Sequence, residues 1–285
     1  MKPERVTSAP LLSGTANGTA FSVYGPGEAL VLIHGVGMGQ AIWEPQIAEF
    51  ARDYKVIVYD MLGHGGSAVP APDVALSDYA EQLVALLDHL DIAAANVVGH
   101  SMGALVALEF ALRHPARTLR VAALNAVFMR TPEQRAAVLE RAEALQHTGV
   151  VATVDSTLAR WFGEPVPAEL EASANLVKRF LTEVNPQGYA RTYRLFASSD
   201  AVHADGLPRL AMPALFMTGE FDPNSSPDMS RAMAALAPQG CLHIVVGARH
   251  MMNVTAPDAI NQRLRAFLGT APGDATPEHL RSELS

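Results

Sequence analysis

Six short apolar runs, rich in β-branched residues and each followed by turn-forming residues, constrain this chain more than any other feature. They are "ALVLIHG" (29–35), "KVIVYD" (55–60), "ANVVGH" (95–100), "LRVAALNA" (119–126), "PALFMTGE" (213–220) and "CLHIVVGA" (241–248). They are unbroken rather than alternating, the pattern of strands covered on both faces. Helical patterns lie between them. "SDYAEQLVALLDHLDI" sets Leu83, Leu86, Leu87 and Leu90 at helical spacing, with Ser77 or Asp78 as its cap. "SMGALVALEFALRH" is apolar nearly all round, which predicts a buried helix that ends before Pro115. Strands that alternate with helices in this way predict a parallel sheet with helices on both faces.

One interval breaks the rhythm. Most runs begin roughly 25 to 40 residues after the last, but about 90 separate the start of "LRVAALNA" from that of "PALFMTGE". A structureless loop of that length does not suit a compact domain. Its sequence is helical instead: "TPEQRAAVLERAEALQH" opens with Thr131 and Pro132 at cap and first-turn positions, and "PAELEASANLVKRFLTEV" is similar. The expected organisation is an α/β core over residues 1–129 and 201–270, a helical cap over 130–200 and a loose tail over 271–285. A net charge of −8 with interspersed signs excludes a basic nucleic-acid stripe. A single cysteine, Cys241, allows no internal disulfide and no thiolate metal site. The amino terminus lacks an apolar stretch of signal-peptide length, and no run approaches the ~18 apolar residues of a membrane span. These features read as a cytoplasmic protein without nucleic-acid or membrane partners, and they leave a homo-oligomer open.

At "NVVGHSMGALVALEF" the chain sets Ser101 between Gly99 and Gly103, where a strand pattern gives way to a helix pattern. This Gly-x-Ser-x-Gly fits a nucleophile elbow, a tight turn that lifts the serine above the sheet; the plain alternative is a glycine-rich turn with a capping serine. A serine hydroxyl needs a base, and the base an orienting acid. Asp222 in "MTGEFDPNSSP" and His250 in "VVGARHMMNVTAP" both follow strands, so both reach the crevice at the strand ends. Glu220 is the rival acid and His243 the rival histidine, the latter inside a strand pattern. The N–H groups of Val36, in "LIHGVGMGQAIW", and of Met102 are the expected oxyanion donors. His34 reads as a brace for that loop, with catalysis its lesser reading, and His100 as a pocket-wall or packing residue. "YDMLGHGGSAVP" carries neither a phosphate-binding pattern nor a metal trio and reads as structural.

Taken in order, "HGVG", "YDMLGHGGS", "GHSMG", "GEFD" and "GARHMMNVTAP" resemble the α/β-hydrolase superfamily over roughly residues 18 to 268. The segment with "LARWFGEP" and "VNPQGYARTYRLFASSD" resembles that of the 3-oxoadipate enol-lactonase-like hydrolases, although Ala104 departs from the glycine usual there. The resemblance implies an α/β-hydrolase fold, with a mostly parallel, doubly covered sheet and a helical cap inserted between the sixth and seventh strands. It implies a Ser101–His250–Asp222 triad, an acyl-enzyme, a small-molecule acyl substrate, and neither metal nor organic cofactor. The leading expectation is a serine esterase or enol-lactonase of a catabolic pathway. Rival expectations are a carbon–carbon hydrolase of the meta-cleavage type, an N-acyl amidase, a perhydrolase, and a ligand-binding receptor without turnover. Substrates of the resembling hydrolases carry carboxylates. Of the cap cations Arg130, Arg160, Lys178, Arg179, Arg191 and Arg194, Arg160 is the expected reader because it adjoins Trp161 and Phe162. That aromatic pair reads as pocket wall or, equally, as cap core.

Overall fold

The computed structural model describes residues 9–269, apart from the side chains of residues 146–148. The tail expected over 271–285 and the reading of residues 1–8 lie outside the described residues. The strands are β1 (Leu12–Ala16), β2 (Thr19–Tyr24), β3 (Glu28–Ile33), β4 (Tyr54–Tyr59), β5 (Ala95–His100), β6 (Thr118–Leu124), β7 (Ala214–Gly219) and β8 (Gly240–Val245). They form one sheet in the order β1-β2-β4-β3-β5-β6-β7-β8. The β1/β2 and β2/β4 pairs are antiparallel, and every other pair is parallel. The six apolar runs are β3 to β8. Burial is continuous along β5 and β7, as a sheet covered on both faces requires.

The helices are α1 (Glu44–Phe50), α2 (Leu76–His89), α3 (Met102–Arg113), α4 (Pro132–Thr148), α5 (Val154–Phe162), α6 (Glu171–Glu183), α7 (Pro186–Ser198), α8 (Pro227–Leu236), α9 (Met252–Thr255) and α10 (Pro257–Leu268). α3 is buried along most of its length, as its apolar sequence dictates. The expected cap of α2 is not found. The helix starts at Leu76 behind Ala75, and Asp78 reaches back from the third position to accept the Ala75 N–H at 2.8 Å. An acid in the first turn satisfies a free amide and meets the positive helix end, so it serves without occupying the cap position.

Chain order sets the crevice. From β3 the chain steps outward to β4, then returns to lay β5 on the other side of β3. The loops after β3 and β5 therefore open side by side, with Ile33 paired to Gly99. The ends of β6, β7 and β8 follow in sequence along the same edge.

Helices α4 to α7 lie between β6 and β7 in the chain and roof this edge. Thr131 caps α4 by accepting the Gln134 N–H at 3.2 Å. The α7 end of the roof is seated backbone to backbone: a Cβ on Gly188 would stand 2.2 Å from the Gly63 carbonyl oxygen. Tyr79 Oη and Thr192 Oγ1, 2.8 Å apart, add a hydrogen bond beside it. Where the chain leaves for the roof and returns, buried Asp200 accepts from the Arg130 backbone N–H at 2.9 Å and pairs with the Arg130 and Arg135 guanidinium groups at 3.4 and 2.9 Å. Among the described residues no helix is long and apolar enough to cross a membrane.

Candidate active site

Ser101 stands between β5 and α3 with φ 57° and ψ −117°, a left-handed conformation that non-glycine residues seldom adopt. Its neighbours make the turn affordable only for glycine. A Cβ on Gly99 would lie 2.0 Å from the Gly103 carbonyl oxygen, and one on Gly103 would lie 2.3 Å from that of Ile33. The turn is thus pressed between its own strand and the end of β3.

His250 Nε2 lies 3.2 Å from Ser101 Oγ, and His250 Nδ1 lies 2.9 Å from Asp222 Oδ2. A carboxylate only accepts, so Nδ1 carries the proton and Nε2 is free to accept from the serine. Burial alone pushes the Asp222 carboxyl up. The His250 ring, the Asn125 amide and the Asn224 N–H outweigh it and hold the group below its ordinary range, ionised. Glu220, the rival acid, is exposed and accepts the Gly247 N–H at 2.9 Å, outside this chain of bonds. His243 lies within β8.

The loop after β3 meets the serine directly: a Cβ on Gly35 would stand 3.1 Å from Ser101 Cβ. Val36 and Met102, the residues that follow Gly35 and Ser101, are both buried. Two histidines fix the loop. His34 Nδ1 donates to the Gly35 carbonyl at 2.8 Å while Nε2 accepts the Met61 N–H at 3.0 Å. His64, from the "YDMLGHGGS" turn, donates to the Leu62 carbonyl at 3.1 Å and accepts the Gly37 N–H at 2.9 Å. Burial lowers His34 to about 4 and His64 to about 3, so both are neutral and both ring nitrogens are satisfied.

A cavity of about 200 Å³ opens above Ser101. Ser101, Val36 and His250 line its floor, and Arg141, Arg160 and Trp161 its roof. His34, His100 and Phe162 do not line this cavity. His34 faces the loop it braces. His100 is buried behind His250, where Nε2 donates to the His250 carbonyl at 2.8 Å; burial, first of all, lowers it to about 3. Phe162 is buried in the roof's own core. Adjacent helical residues point about 100° apart, so Trp161 and Phe162 cannot share one wall.

Several site residues escaped the sequence reading. Arg141 carried a legible signal: Gln134, Val138, Arg141 and Leu145 form one stripe of α4, and all four line the cavity. Asn125 ends β6 with φ 53° and donates to Asp222 Oδ2 at 2.7 Å. The three cavity arginines differ in partnership. Arg130 is neutralised by Asp200. Arg141 donates to Tyr193 Oη at 3.3 Å and Arg160 to Thr157 Oγ1 at 3.2 Å, and among the described residues neither has a carboxylate partner. Burial and then the nearby charge of Arg141 lower the pKa of Arg160, and its Nε is buried without an acceptor.

Residues 28–257 match the family model described as alpha/beta hydrolase fold. The chain is 42% identical over 249 residues to (E)-2-((N-methylformamido)methylene)succinate hydrolase of Acinetobacter baylyi, across 87% of this chain and 93% of that one. It is 29% identical over 249 residues to 3-oxoadipate enol-lactonase 2 of the same organism, across 84% and 88%. The crystal structure of the enol-lactonase from Burkholderia xenovorans LB400 is similar with a TM-score of 0.81 at 26% identity, covering 91% of this chain and 100% of that one. These likenesses bear out the resemblance drawn from the motifs.

Proposed function

The chain belongs to the α/β-hydrolase fold family, and on that premise we propose that this hydrolase works through Ser101 on a small acyl compound carrying carboxylates, in the first place an N-acyl derivative of a substituted succinate. Ser101 Oγ attacks the acyl carbon and gives its proton to His250 Nε2. Asp222 holds the imidazole in the required tautomer and balances the charge that develops on it. The Val36 and Met102 amides receive the oxyanion. Collapse breaks the bond from acyl carbon to nitrogen or oxygen, and the leaving group takes the proton from His250. Water then attacks the acyl-enzyme with His250 again as base, releasing the acid and restoring Ser101.

One observation carries the substrate class: Arg141 and Arg160 face the cavity above Ser101, and among the described residues neither is ion-paired with a carboxylate. Two guanidinium groups without ion-pair partners in a half-buried pocket favour an anionic ligand, and a guanidinium matches a carboxylate in two-point geometry. The name of the 42%-identical relative describes a succinate that bears an N-acyl group, and that chemistry suits this arrangement. A carboxylated enol-lactone is the second reading, favoured by the enol-lactonase likenesses.

The test is a panel of N-acylaminomethylene succinates, enol-lactones, ring-fission dienones and neutral esters, assayed with wild type and Ser101→Ala. The reading expects carboxylated N-acyl compounds to lead in kcat/KM and every activity to vanish in the variant. Turnover that survives Ser101→Ala, or a preference for neutral esters, would overturn it.

A further inference from the structure

Two rings pack against His250. The His100 ring lies with centroids 5.1 Å apart and planes at 53°, and the indole of Trp161 lies at 5.1 Å with the smaller tilt of 34°. The two neighbours come from different parts of the molecule: His100 closes β5 in the core, whereas Trp161 is the penultimate residue of α5 in the roof. The chain turns just past Trp161 at Gly163, whose φ is 101°, and a Cβ there would stand 3.7 Å from Arg249 Nε. The end of α5 is therefore seated on the loop that carries the base.

If Ser101 is the nucleophile, as the proposed function has it, His250 becomes an imidazolium in every transition state. That charge forms with almost no water, since His250 is 2% exposed. Asp222 meets it in the plane of the ring, at Nδ1. His100 meets the ring at the steeper tilt of 53°, with its Nε2 proton committed to the His250 carbonyl. The indole lies closer to parallel with the ring, at 5.1 Å and within the ~6 Å at which an aromatic ring attracts a cation, and tryptophan is the strongest of the aromatic side chains in this. Trp161 Nε1 has no acceptor among the described residues. Phenylalanine would fill much of the same space without that N–H, whereas tryptophan gives the stronger attraction to a ring that becomes charged.

We propose that Trp161 is a positioning residue for His250: it holds the imidazole in the plane set by Ser101 and Asp222 and stabilises its charged form, so that the base is complete only with α5 seated. The roof then contributes to the chemical step as well as to substrate binding.

Trp161→Phe keeps an aromatic face of weaker attraction, and Trp161→Leu keeps bulk without one. Two rates report on the base: kcat for a neutral ester, and fluorophosphonate labelling of Ser101 followed by intact mass. Both should fall in the order Trp, Phe, Leu, by about 3-fold and about 10-fold, as expected for a desolvated cation–aromatic contact. Because Trp161 also lines the cavity, a rise in KM for the neutral ester is expected too, but kcat and the labelling rate should fall more than KM rises, and the melting temperature of the Phe variant should equal or exceed that of wild type. Equal rates in all three proteins, or a loss confined to KM, would overturn the proposal. Should Leu loosen α5, seen as a lower melting temperature, the Phe variant decides alone, and an undiminished labelling rate in it overturns the proposal. A wild type that is never labelled at Ser101 fails differently, because it removes the nucleophile and this inference together.

Discussion

The side-chain amide of Asn125 lies 2.7 Å from Oδ2 of Asp222, the oxygen that also accepts the hydrogen bond from His250 Nδ1 at 2.9 Å. Asn125 is itself held from behind: Ser225 Oγ donates to its carbonyl at 2.7 Å and its N–H donates to Met217 at 2.8 Å. It is therefore a fixed donor aimed at a fully buried carboxylate. Asn125→Ala should lower kcat by about 10-fold or more, the scale of one hydrogen bond to a charged group, with KM unchanged. Steady-state kinetics on a neutral ester measures this. A loss carried by KM would move Asn125 from the acid to the pocket.

Asp222→Asn keeps the shape of the site but offers His250 an amide, which favours the wrong tautomer. A fall in kcat on the order of 10⁴-fold is expected, by analogy with the same change in the chymotrypsin-type triad. Glu220→Gln should change kcat by less than about twofold, because Glu220 is exposed and bonded to Gly247. Comparing the two variants on one substrate decides which acid serves His250. A severe Glu220→Gln paired with a mild Asp222→Asn would reverse the assignment.

Arg141 and Arg160 allow a charge test. Arg160→Ala should weaken a carboxylated substrate by roughly 1.5 to 3 kcal/mol in kcat/KM and leave a neutral ester of similar size nearly untouched. Arg141→Ala should do the same, and the double variant should lose less than the sum, since each acts within the field of the other. Arg130→Ala should behave otherwise. Its charge is held by Asp200 at the base of the roof, so its loss should lower the melting temperature and affect both substrates alike.

Strands β3 to β7 were legible because burial on both faces leaves an unbroken apolar run, β8 because its run stays apolar even at the sheet edge, and the elbow because glycine is the only residue that fits at 99 and 103. β1 and β2 were not among the runs. β2 alternates buried and half-buried residues, and β1 is largely exposed. Their marker was the turn between them, Asn17-Gly18, with φ of 50° and 76°. Ser101, Asp222 and His250 could be placed from strand ends alone. Trp161 over His250 could not, because it depends on how α5 packs across a gap of roughly 90 residues in sequence. Asn125 was hidden for a related reason: its role lies in a bond to a residue 97 positions away.

The last prediction concerns acid stability. His34, His64 and His100 are buried and neutral, lowered from 6.5 to about 4, about 3 and about 3, first of all by burial. In the unfolded chain each takes up a proton as pH falls through about 6.5, while in the folded chain it does not until pH 4 to 3. Between those limits the unfolded state binds more protons, so stability falls as pH falls. It is complete above about pH 6.5, declines through pH 6, 5 and 4, and loses no more to these groups below pH 3. The upper part of this window, between about pH 6.5 and 5, lies above the carboxylate range, which separates it from ordinary acid unfolding. Urea unfolding at pH 7.5, 6 and 5 should give a slope approaching three protons, each worth about 1.4 kcal/mol per pH unit. His64→Gln offers Gly37 an amide oxygen in place of Nε2 and cannot titrate. It should reduce that slope by about one proton, whatever its effect on stability at pH 7.5. An unchanged slope would mean that His64 carries a proton in the folded protein, and its bond to the Gly37 N–H would then have no acceptor.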